Sequence, residues 1–402
     1  MRSRLTEVSS IHYGRSPSEV ANTDGQFPII GTGGEFGRAS IPLFNAGVVV
    51  PRKGSLGNPQ LALTPFWPTD TTFAVLPTEN TDIRWLYYCL LSYDLSRLNE
   101  ATGVPSISRD WLSKIEFPNP GYARQKRIAR ILQTIDQAIE KTEALMDKYQ
   151  QIKAGLMHDL FTRGIGPNGR LRPPREQAPE LYHATPIGWI PKEWDAVELG
   201  KVADLVVGYA FKSDWFQNEG TKLLRGENVG HGNADWSDTQ CLSPTMAACY
   251  QEYLLNEHDV VIGMDRTFTK TGVKITVLGK SDCPSLLVQR VGKFVPIRLE
   301  QNYLRWLVVS PAYIRRLMNQ QKGMDIPHLS KSEILAPVVP LASDREQMAI
   351  SSLLDSMGSL IESERLTCEK LQSKKSGLMH DLLTGEVPVP LGPEDVPEAA
   401  SA

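Results

Sequence analysis

Two polar loops in the sequence each follow a short apolar run, Val48–Val50 and Val260–Ile262. Arginine can pair with guanine and asparagine with adenine through two hydrogen bonds, and serine or threonine can contact a phosphate or a base. The residue types therefore favour nucleic-acid contact, although such loops are more often plain solvated surface. The candidate contacts in the two loops are Arg52, Lys53, Ser55, Asn58, Arg266, Thr267 and Lys270, and elsewhere Lys212, Ser213, Arg225 and Asn228.

Three stretches approach catalytic or cofactor motifs without completing them. Asn119–Tyr122 has a glycine where the Asn-Pro-Pro-Tyr loop of amino-methyltransferases has its second proline. Gly279–Ser281 resembles the end of a phosphate-binding loop, but Lys274 occupies the position of the required glycine. Gly31–Gly37 resembles a dinucleotide fingerprint whose last glycine comes one place late. We expect a turn at Asn119–Tyr122 and a turn-rich loop at Gly31–Gly37. No cofactor, no metal site and no catalysis by the isolated chain are expected.

The composition predicts a soluble protein of two or three domains. The 402 residues are 41% hydrophobic and 22% charged, and no apolar run approaches the 18 residues of a membrane span. The first residues lack the apolar core of a signal peptide. Five cysteines without a CxxC pair favour a reduced, cytoplasmic protein that has neither a zinc site nor a disulfide framework.

The net charge of −3 is unevenly distributed along the chain. Residues 385–402 hold four acidic residues and no basic one, so the remainder carries a charge of +1. Residues 124–175 are distinctly basic, with 11 Lys and Arg against five acids. Any DNA binding is therefore expected to be local, or to be helped by a more basic partner.

A long internal repeat dominates the sequence. The hexapeptide GLMHDL occurs at Gly155–Leu160 and again at Gly377–Leu382, 222 residues later. At the same offset, Gln125–Leu160 and Gln347–Leu382 share 14 of 36 residues, which indicates that the chain is built twice from one plan. Two equivalent surfaces follow from such a plan, so the protein could hold two copies of a partner or recognise two halves of a target.

The repeated segments have the apolar spacing of coiled-coil helices. In Arg124–Phe161, residues such as Ile128 and Ile135 recur every seven positions, and the second copy has the same frame. About 36 residues at roughly 1.5 Å each make a rod of about 54 Å. Neither helix can bury its stripe alone, so each is expected to pair with the other. Other expected elements are a helix at Ile83–Leu98 and strands at Val48–Val50, Thr71–Leu76, Val260–Ile262 and Leu286–Val288.

The order of segments predicts an α+β protein in which two mixed domains alternate with two long helices. The mixed domains differ in sequence while the helices stay alike, as expected for one scaffold that carries two different recognition modules. The predicted segments are residues 1–122 (first domain), 123–163 (helix), 164–185 (a linker rich in Gly, Pro and Arg), 186–342 (second domain), 343–384 (helix) and 385–402 (an acidic, disordered tail).

Several stretches resemble the specificity subunits of type I restriction–modification systems. They are Gly208–Gly232, Pro51–Gln60, Phe66–Val75 and the helix blocks QKRIARILQTIDQAIEK and EQMAISSLLDSMGSLIE. The resemblance covers nearly the whole chain. It implies two target-recognition domains separated by an antiparallel pair of coiled-coil helices, with pseudo-twofold symmetry. Each domain would recognise one half of a split site in double-stranded DNA, and the helices would set the distance between the halves.

The same resemblance implies partners. Two modification (methyltransferase) subunits would dock on the helices and restriction subunits would join them, and these partners would bind the methyl donor and ATP. The chain departs from the pattern at its start, because Leu5 lacks an entry like Pro186–Trp189, and in its acidic tail. The alternatives are a two-domain coiled-coil adaptor that binds proteins and no DNA, and a stand-alone nuclease or methylase.

Overall fold

The computed structural model describes residues 2–269, 272–319 and 328–391. The chain divides into two compact units, each of which combines sheets with helices, so the expected α+β class is confirmed. The first unit comprises Met1–Leu145 and Glu364–Ala402, and the second comprises Met146–Ser363. None of the helices in the described part of the chain is long and apolar enough to cross a bilayer.

The first unit is built around a four-stranded antiparallel sheet of order β2-β8-β5-β6. Beside it lies a three-stranded sheet of order β4-β3-β7, in which β3 and β7 are parallel. The strands are β1 (Arg2–Arg4), β2 (Ser9–Tyr13), β3 (Phe27–Gly31), β4 (Gly34–Ala39), β5 (Gly47–Pro51), β6 (Gln60–Ala62), β7 (Trp67–Pro68), β8 (Thr72–Pro77) and β9 (Glu116–Pro118). The helices that begin in this unit are α1 (Leu5–Val8), α2 (Ile83–Ser92), α3 (Arg109–Ser113) and α4 (Tyr122–Thr162).

The second unit repeats this plan. Its four-stranded antiparallel sheet has the order β13-β22-β17-β20, and a second sheet of order β15-β14-β21-β16 pairs β14 with β21 in parallel. The strands are β10 (Tyr182–Thr185), β11 (Gly188–Pro191), β12 (Asp195–Glu198), β13 (Ala203–Val207), β14 (Thr221–Leu224), β15 (Cys241–Leu242), β16 (Leu254–Leu255), β17 (Val260–Gly263), β18 (Phe268–Thr269), β19 (Gly272–Val273), β20 (Ile275–Val277), β21 (Ser285–Leu287), β22 (Val291–Pro296) and β23 (Val338–Leu341). The helices are α5 (Pro244–Ala247), α6 (Gln301–Val308), α7 (Pro311–Asn319), α8 (Lys331–Leu335) and α9 (Asp344–Thr384).

The predicted strands are present because each is a continuous apolar run with both faces covered. All residues of β5 and β17 are buried, and each strand has a neighbour on both sides in its sheet. Such runs are typical of central strands. The strands expected at Thr71–Leu76 and Leu286–Val288 are β8 and β21, each displaced by one residue.

The helix predicted at Ile83–Leu98 is shorter than expected. It ends at Ser92, because Tyr93 is extended, and a 3₁₀ turn then covers Leu95–Leu98. The carboxylate of Asp94 accepts a hydrogen bond from the backbone N of Ser96. A short polar side chain that bonds to the nearby backbone in this way competes with helix continuation.

Both long helices are present and contain 41 residues each. Within the first unit, the Lys375 ammonium lies 2.7 Å from a carboxylate oxygen of Asp136, and Cys368 Sγ lies 3.8 Å from a carboxylate oxygen of Glu143. Within the second unit, the helices share one apolar core that contains Leu160, Phe161, Ile350 and Leu354, among other residues. The heptad stripes are therefore covered at these places.

Two repeated glutamines have the same structural role in the two units. Gln125 and Gln347 are both 0% exposed. The side-chain oxygen of Gln125 accepts a hydrogen bond from Asp82 N at 2.9 Å, and that of Gln347 accepts one from Glu300 N at 2.8 Å. Asp82 and Glu300 are the N-cap residues of α2 and α6. Each glutamine therefore links a long helix to the N-terminus of a shorter helix, α4 to α2 and α9 to α6.

Residues 164–185, predicted to be a linker, are packed into the second unit. Arg172 and Glu346 form an ion pair at 2.5 Å, with both side chains 8% exposed. Trp194 Nε1 donates to the same carboxylate at 2.8 Å, and Ile165 N donates to it at 2.7 Å. Gly164 has a φ of +64°, and a Cβ there would lie 2.2 Å from Glu346 Oε1, so this turn requires glycine.

The acidic tail begins as ordered chain. Val389 is buried in the apolar core of the first unit, and its carbonyl accepts a hydrogen bond from Arg124 Nε at 3.3 Å. The expectation of disorder from residue 385 onward is therefore wrong for residues up to 391. The rest of the predicted tail, residues 392–402, lies outside the described residues.

Candidate nucleic-acid interface

The first predicted loop is fixed at its base and open at its tip. Arg52 N and Lys53 N both donate to Thr71 O, at 2.9 and 3.2 Å, and Gly54 N donates to Pro105 O at 2.9 Å. Beyond this base, Gly57 has a φ of +116° and open space around it. Three predicted contact residues are exposed on this loop: Lys53, Ser55 and Asn58.

The guanidinium of Arg52 is held against aromatic rings. Its carbon lies 5.1 Å from the ring centre of Tyr13 and 5.8 Å from that of Phe73, and Nη1 donates to Asp70 O at 3.2 Å. Stacking of this kind limits the motion of the guanidinium while other N–H groups stay available for a ligand. Arg52 is thus a preorganised donor at the end of β5.

Beside Arg52 lies an open depression of about 380 Å³, which we call the first cleft. It lies between the β3–β4 hairpin turn and the turn that leads into β8. The hairpin turn covers only Thr32 and Gly33 of the turn-rich loop expected at Gly31–Gly37, because Gly34–Gly37 belong to β4. Phe36 is 66% exposed at its edge. Among the described lining residues, Asp70 is the one with a charged side chain; the lining is Pro17, Gly31, Thr32, Gly33, Gly34, Phe36, Thr69, Asp70 and Thr71.

In the second unit, the loop after β17 presents Arg266 to solvent. Arg266 is exposed and has a φ of +47°, in the left-handed region that L-residues rarely adopt. Thr267, also predicted as a DNA contact, is 0% exposed and its hydroxyl donates to Gly263 O at 2.6 Å. It therefore stabilises the loop, and its assignment as a contact is wrong. Lys270 lies outside the described residues.

The loop after β14 likewise divides the predicted residues into two roles. Arg225 forms ion pairs with Glu227 and Asp238 and remains partly accessible. Asn228 is 1% exposed, accepts from Arg225 N at 3.1 Å, and donates to Asp235 O and Asp238 O at 2.8 and 3.0 Å. Its amide is fully engaged within the protein, so Asn228 is not a DNA contact.

A second depression, which we call the second cleft, measures about 580 Å³. It brings together three predicted residues, Ser213, Arg225 and Arg266, and two cations that sequence reasoning missed, Lys274 and Arg290. Lys212 is exposed next to Ser213, with its ammonium 5.5 Å from the Trp215 ring centre. The lining is Phe211, Ser213, Phe216, Arg225, Gly226, Glu227, Asp265, Arg266, Lys274, Val288, Gln289 and Arg290, with four cations and two acids.

Asp265 connects two basic side chains at the second cleft. One carboxylate oxygen lies 2.5 Å from Arg290 Nη1, and the other lies 2.5 Å from His328 Nδ1. Burial raises the pKa of Asp265, but the hydrogen bonds from His328 and Arg290 outweigh it, so the pKa lies below its ordinary value. The carboxylate is therefore ionised at neutral pH and holds Arg290 electrostatically.

The two clefts occupy the same place in the two units. Each lies between the loop after a parallel-paired strand, β3 or β14, and the turn that leads into β8 or β22. Arg52 N donates to Thr71 O at 2.9 Å in the first unit, and Met264 N donates to Arg290 O at 2.8 Å in the second. Thr71 and Arg290 are thus equivalent positions.

Comparison with known proteins gives consistent matches. The family model for the type I restriction modification DNA specificity domain matches residues 1–148 and 191–372. The type I restriction enzyme MjaVIII specificity subunit of Methanocaldococcus jannaschii is 29% identical over 312 residues, which are 77% of this chain and 71% of the relative. The EcoAI specificity subunit of Escherichia coli is 28% identical over 292 residues, 69% of this chain and 46% of the relative.

The fold also matches a solved structure. The S subunit of a type I restriction–modification system from M. genitalium superimposes with a TM-score of 0.61 at 16% identity, covering 95% of this chain and 96% of that one. This similarity extends the agreement from sequence to the arrangement of the elements. Since the family model covers most of the sequence, the chain belongs to the type I restriction–modification DNA specificity family.

Proposed function

We propose that this chain recognises a two-part site in double-stranded DNA and uses one cleft for each half. The observation that carries the proposal is the pair of equivalent clefts with different linings in a member of the DNA specificity family. Arg, Lys, Ser and Asn side chains at or beside the clefts can form hydrogen bonds with base edges and phosphates. The candidate contacts are Arg52, Lys53, Ser55 and Asn58 for one half, and Lys212, Ser213, Arg225 and Arg266 for the other.

The charge distribution agrees with local DNA contact by a chain that is acidic overall. The second cleft has two more basic than acidic side chains in its lining, and Arg52 and Lys53 supply basic charge beside the first. Phosphate contacts of this kind provide affinity without sequence information, whereas base contacts provide specificity. We therefore expect modest affinity for the chain alone and higher affinity in a complex with a basic partner.

The long helices are proposed to pair antiparallel as a coiled coil and to set the spacer between the half-sites. In support, residue numbers rise on α4 from Asp136 to Glu143 while those of their contacts on α9 fall from Lys375 to Cys368. The similar topologies of the two units support the pseudo-twofold repeat. The proposed recognition domains remain residues 1–122 and 186–342, separated by the helices.

We further propose that two methyltransferase subunits dock on the long helices and that restriction subunits join this complex. Leu353 and Leu360, seven residues apart on α9 and so near one face of the helix, are exposed and support a docking surface there, because exposed apolar side chains on one helix face are typical of interfaces. Family membership supports a non-catalytic specificity subunit and does not favour a protein-binding adaptor without DNA recognition.

Binding selection tests this proposal. The full chain, co-expressed with a type I methyltransferase subunit from the same organism, would be incubated with a pool of random duplexes and the bound DNA sequenced. We expect enrichment of two different short motifs at one fixed spacing. Enrichment of a single uninterrupted motif, or none, would contradict recognition of a two-part site.

A further inference from the structure

We infer that Arg290 contacts a guanine in the half-site recognised by the second cleft, and that Asp265 is the residue that positions it. This inference rests on the proposed function and adds the chemistry of one contact. Neither residue belongs to the loop positions that the sequence suggested as DNA contacts.

Arg290 is both fixed at its backbone and available at its side chain. Its carbonyl accepts a hydrogen bond from Met264 N at 2.8 Å, which ties the turn before β22 to the end of β17. Its side chain is 68% exposed and lines the second cleft. A rigid base with an accessible guanidinium is the arrangement that specific base contact requires.

Asp265 contacts the Arg290 guanidinium through one nitrogen and so orients it. Its carboxylate engages Nη1 of Arg290 at 2.5 Å, while its other oxygen is held by His328 at 2.5 Å. The guanidinium has five N–H donors in a planar fork, so Nη2 and Nε stay available for the O6 and N7 atoms of a guanine. Because His328 holds the other oxygen of the carboxylate, Asp265 is a fixed partner for Arg290, and the arginine side chain loses less freedom when it binds DNA.

Backbone strain also concentrates at this place. Among the described non-glycine residues, three have a left-handed φ, namely His258, Arg266 and Arg290, and the last two have values of 47° and 64°. Arg266 follows Asp265 in the chain, and Arg290 forms an ion pair with Asp265. Such strain persists where the surrounding structure imposes it, and it is found disproportionately at functional sites. A glycine would be the relaxed choice at position 290.

The equivalent position in the first unit is Thr71, which is uncharged. The turn there is Thr69-Asp70-Thr71, whereas the second unit has Val288-Gln289-Arg290. A threonine cannot make the two-pronged contact of an arginine. The proposed guanine contact therefore belongs to the second half-site alone.

The test uses the full chain in complex with its methyltransferase partner, and duplexes with each position of the motif substituted in turn. The variants are Arg290→Gly, Arg290→Lys and Asp265→Asn, with Arg298→Ala as a matched control. Arg298 is also an exposed arginine, two residues beyond the opposite end of β22. Arg290→Gly removes the side chain and relieves the left-handed strain, so its thermal stability should equal or exceed that of the wild type.

We expect Arg290→Gly to reduce discrimination at one guanine of the second half-site by roughly five- to 150-fold and to leave the first half-site unchanged. Asp265→Asn should relax the same position by a smaller factor, a readout that loss of stability alone would not produce. Arg290→Lys should give partial discrimination, and Arg298→Ala should match the wild type.

Three results would overturn the inference while leaving the proposed function intact. They are unchanged discrimination by Arg290→Gly, weakening that is equal for all sequences with a salt slope smaller by about one, and a second half-site without a G·C pair. A wild-type complex with no preference for a two-part site would instead overturn both. Because Arg290→Gly is expected to fold at least as well as the wild type, these outcomes can be told apart.

Discussion

The first cleft and the second cleft have the same position in two similar folds, yet their chemistry differs. The first is lined by glycines, threonines and one acid, and the second by four cations and two acids. The hydrogen bond from the end of the central strand to the next turn is conserved between them, with Thr71 in one and Arg290 in the other. The two units therefore share the backbone hydrogen bond that holds these turns, while the side chains that line the clefts differ.

The repeated helices, unlike the clefts, keep similar residues in similar roles, but one pair of repeated positions differs. Gln125 and Gln347 have the same buried role, but at the preceding repeated position Arg124 corresponds to Glu346. Glu346 anchors a buried cluster with Arg172 and Trp194, whereas Arg124 is exposed and bonds to the Val389 carbonyl. At this repeated position, one long helix is therefore held by a buried ion pair and the other by an exposed hydrogen bond to the backbone.

Glu346→Ala should have the largest effect on stability. It removes the nearer of two carboxylates from the buried Arg172 guanidinium and leaves Glu193 at 3.6 Å; breaking a buried pair typically costs about 3–5 kcal/mol, or roughly 10 °C in Tm. Arg124→Ala, the matched change in the first unit, should cost less than about 1 kcal/mol because the side chain is exposed. Thermal unfolding of both variants measures the difference in stability. Equal losses of stability would mean that the two contacts contribute alike to their units.

Gln125→Ala and Gln347→Ala should each destabilise the protein, by about 1–3 kcal/mol, because each leaves a partly buried backbone N–H at a helix start without its acceptor. Similar losses of stability in the two variants would support equivalent roles of the two glutamines in the two units. Gln150→Ala is the control, since Gln150 is exposed and also identical in the second repeat. Denaturant unfolding would report all three, and a loss in one glutamine variant alone would argue against equivalent roles.

Arg52→Ala and Arg266→Ala should each weaken recognition of a different half-site, by roughly 1–3 kcal/mol if the arginine contacts a guanine. Arg52 borders the first cleft and Arg266 lines the second. Binding of the complex to single-base variants of the motif gives the position affected. If both variants lost base discrimination in the same half-site, the proposal that each cleft recognises its own half-site would be contradicted.

Lys53→Ala and Lys212→Ala should have the smallest effects. Both lysines are exposed, one beside each cleft, and a phosphate contact carries no sequence information. Each variant should weaken binding to all sequences alike and reduce the salt slope by about one. Titrations at several salt concentrations test this, and a change in base preference would show that the lysine contacts a base.

Local features of the sequence predicted the framework well. The runs Val48–Val50 and Val260–Ile262 are buried strands, and the repeat predicted both long helices to within a few residues. Burial of polar residues was not predictable in the same way. Asn228 and Thr267 are residue types that suit DNA contact, but both are buried in the fold and their side chains donate to backbone carbonyls.

The missed site residues have a different cause. Lys274 and Arg290 lie far from Arg225 in the sequence, and they meet it because β14 ends, and β20 and β22 begin, near the same cleft. No local pattern reports such convergence. Arg290 directly precedes an apolar strand, but only the sheet topology and the backbone hydrogen bond to its carbonyl show that it occupies the position of Thr71.

Exchange of the second domain tests the central claim most directly. Residues 186–342 would be replaced by the corresponding domain of another family member, and the methylated motif of cells that express the complex would be read by long-read sequencing. If each cleft recognises its own half-site, one half of the motif should change while the other half and the spacer length persist. A change in both halves, or in neither, would contradict the account.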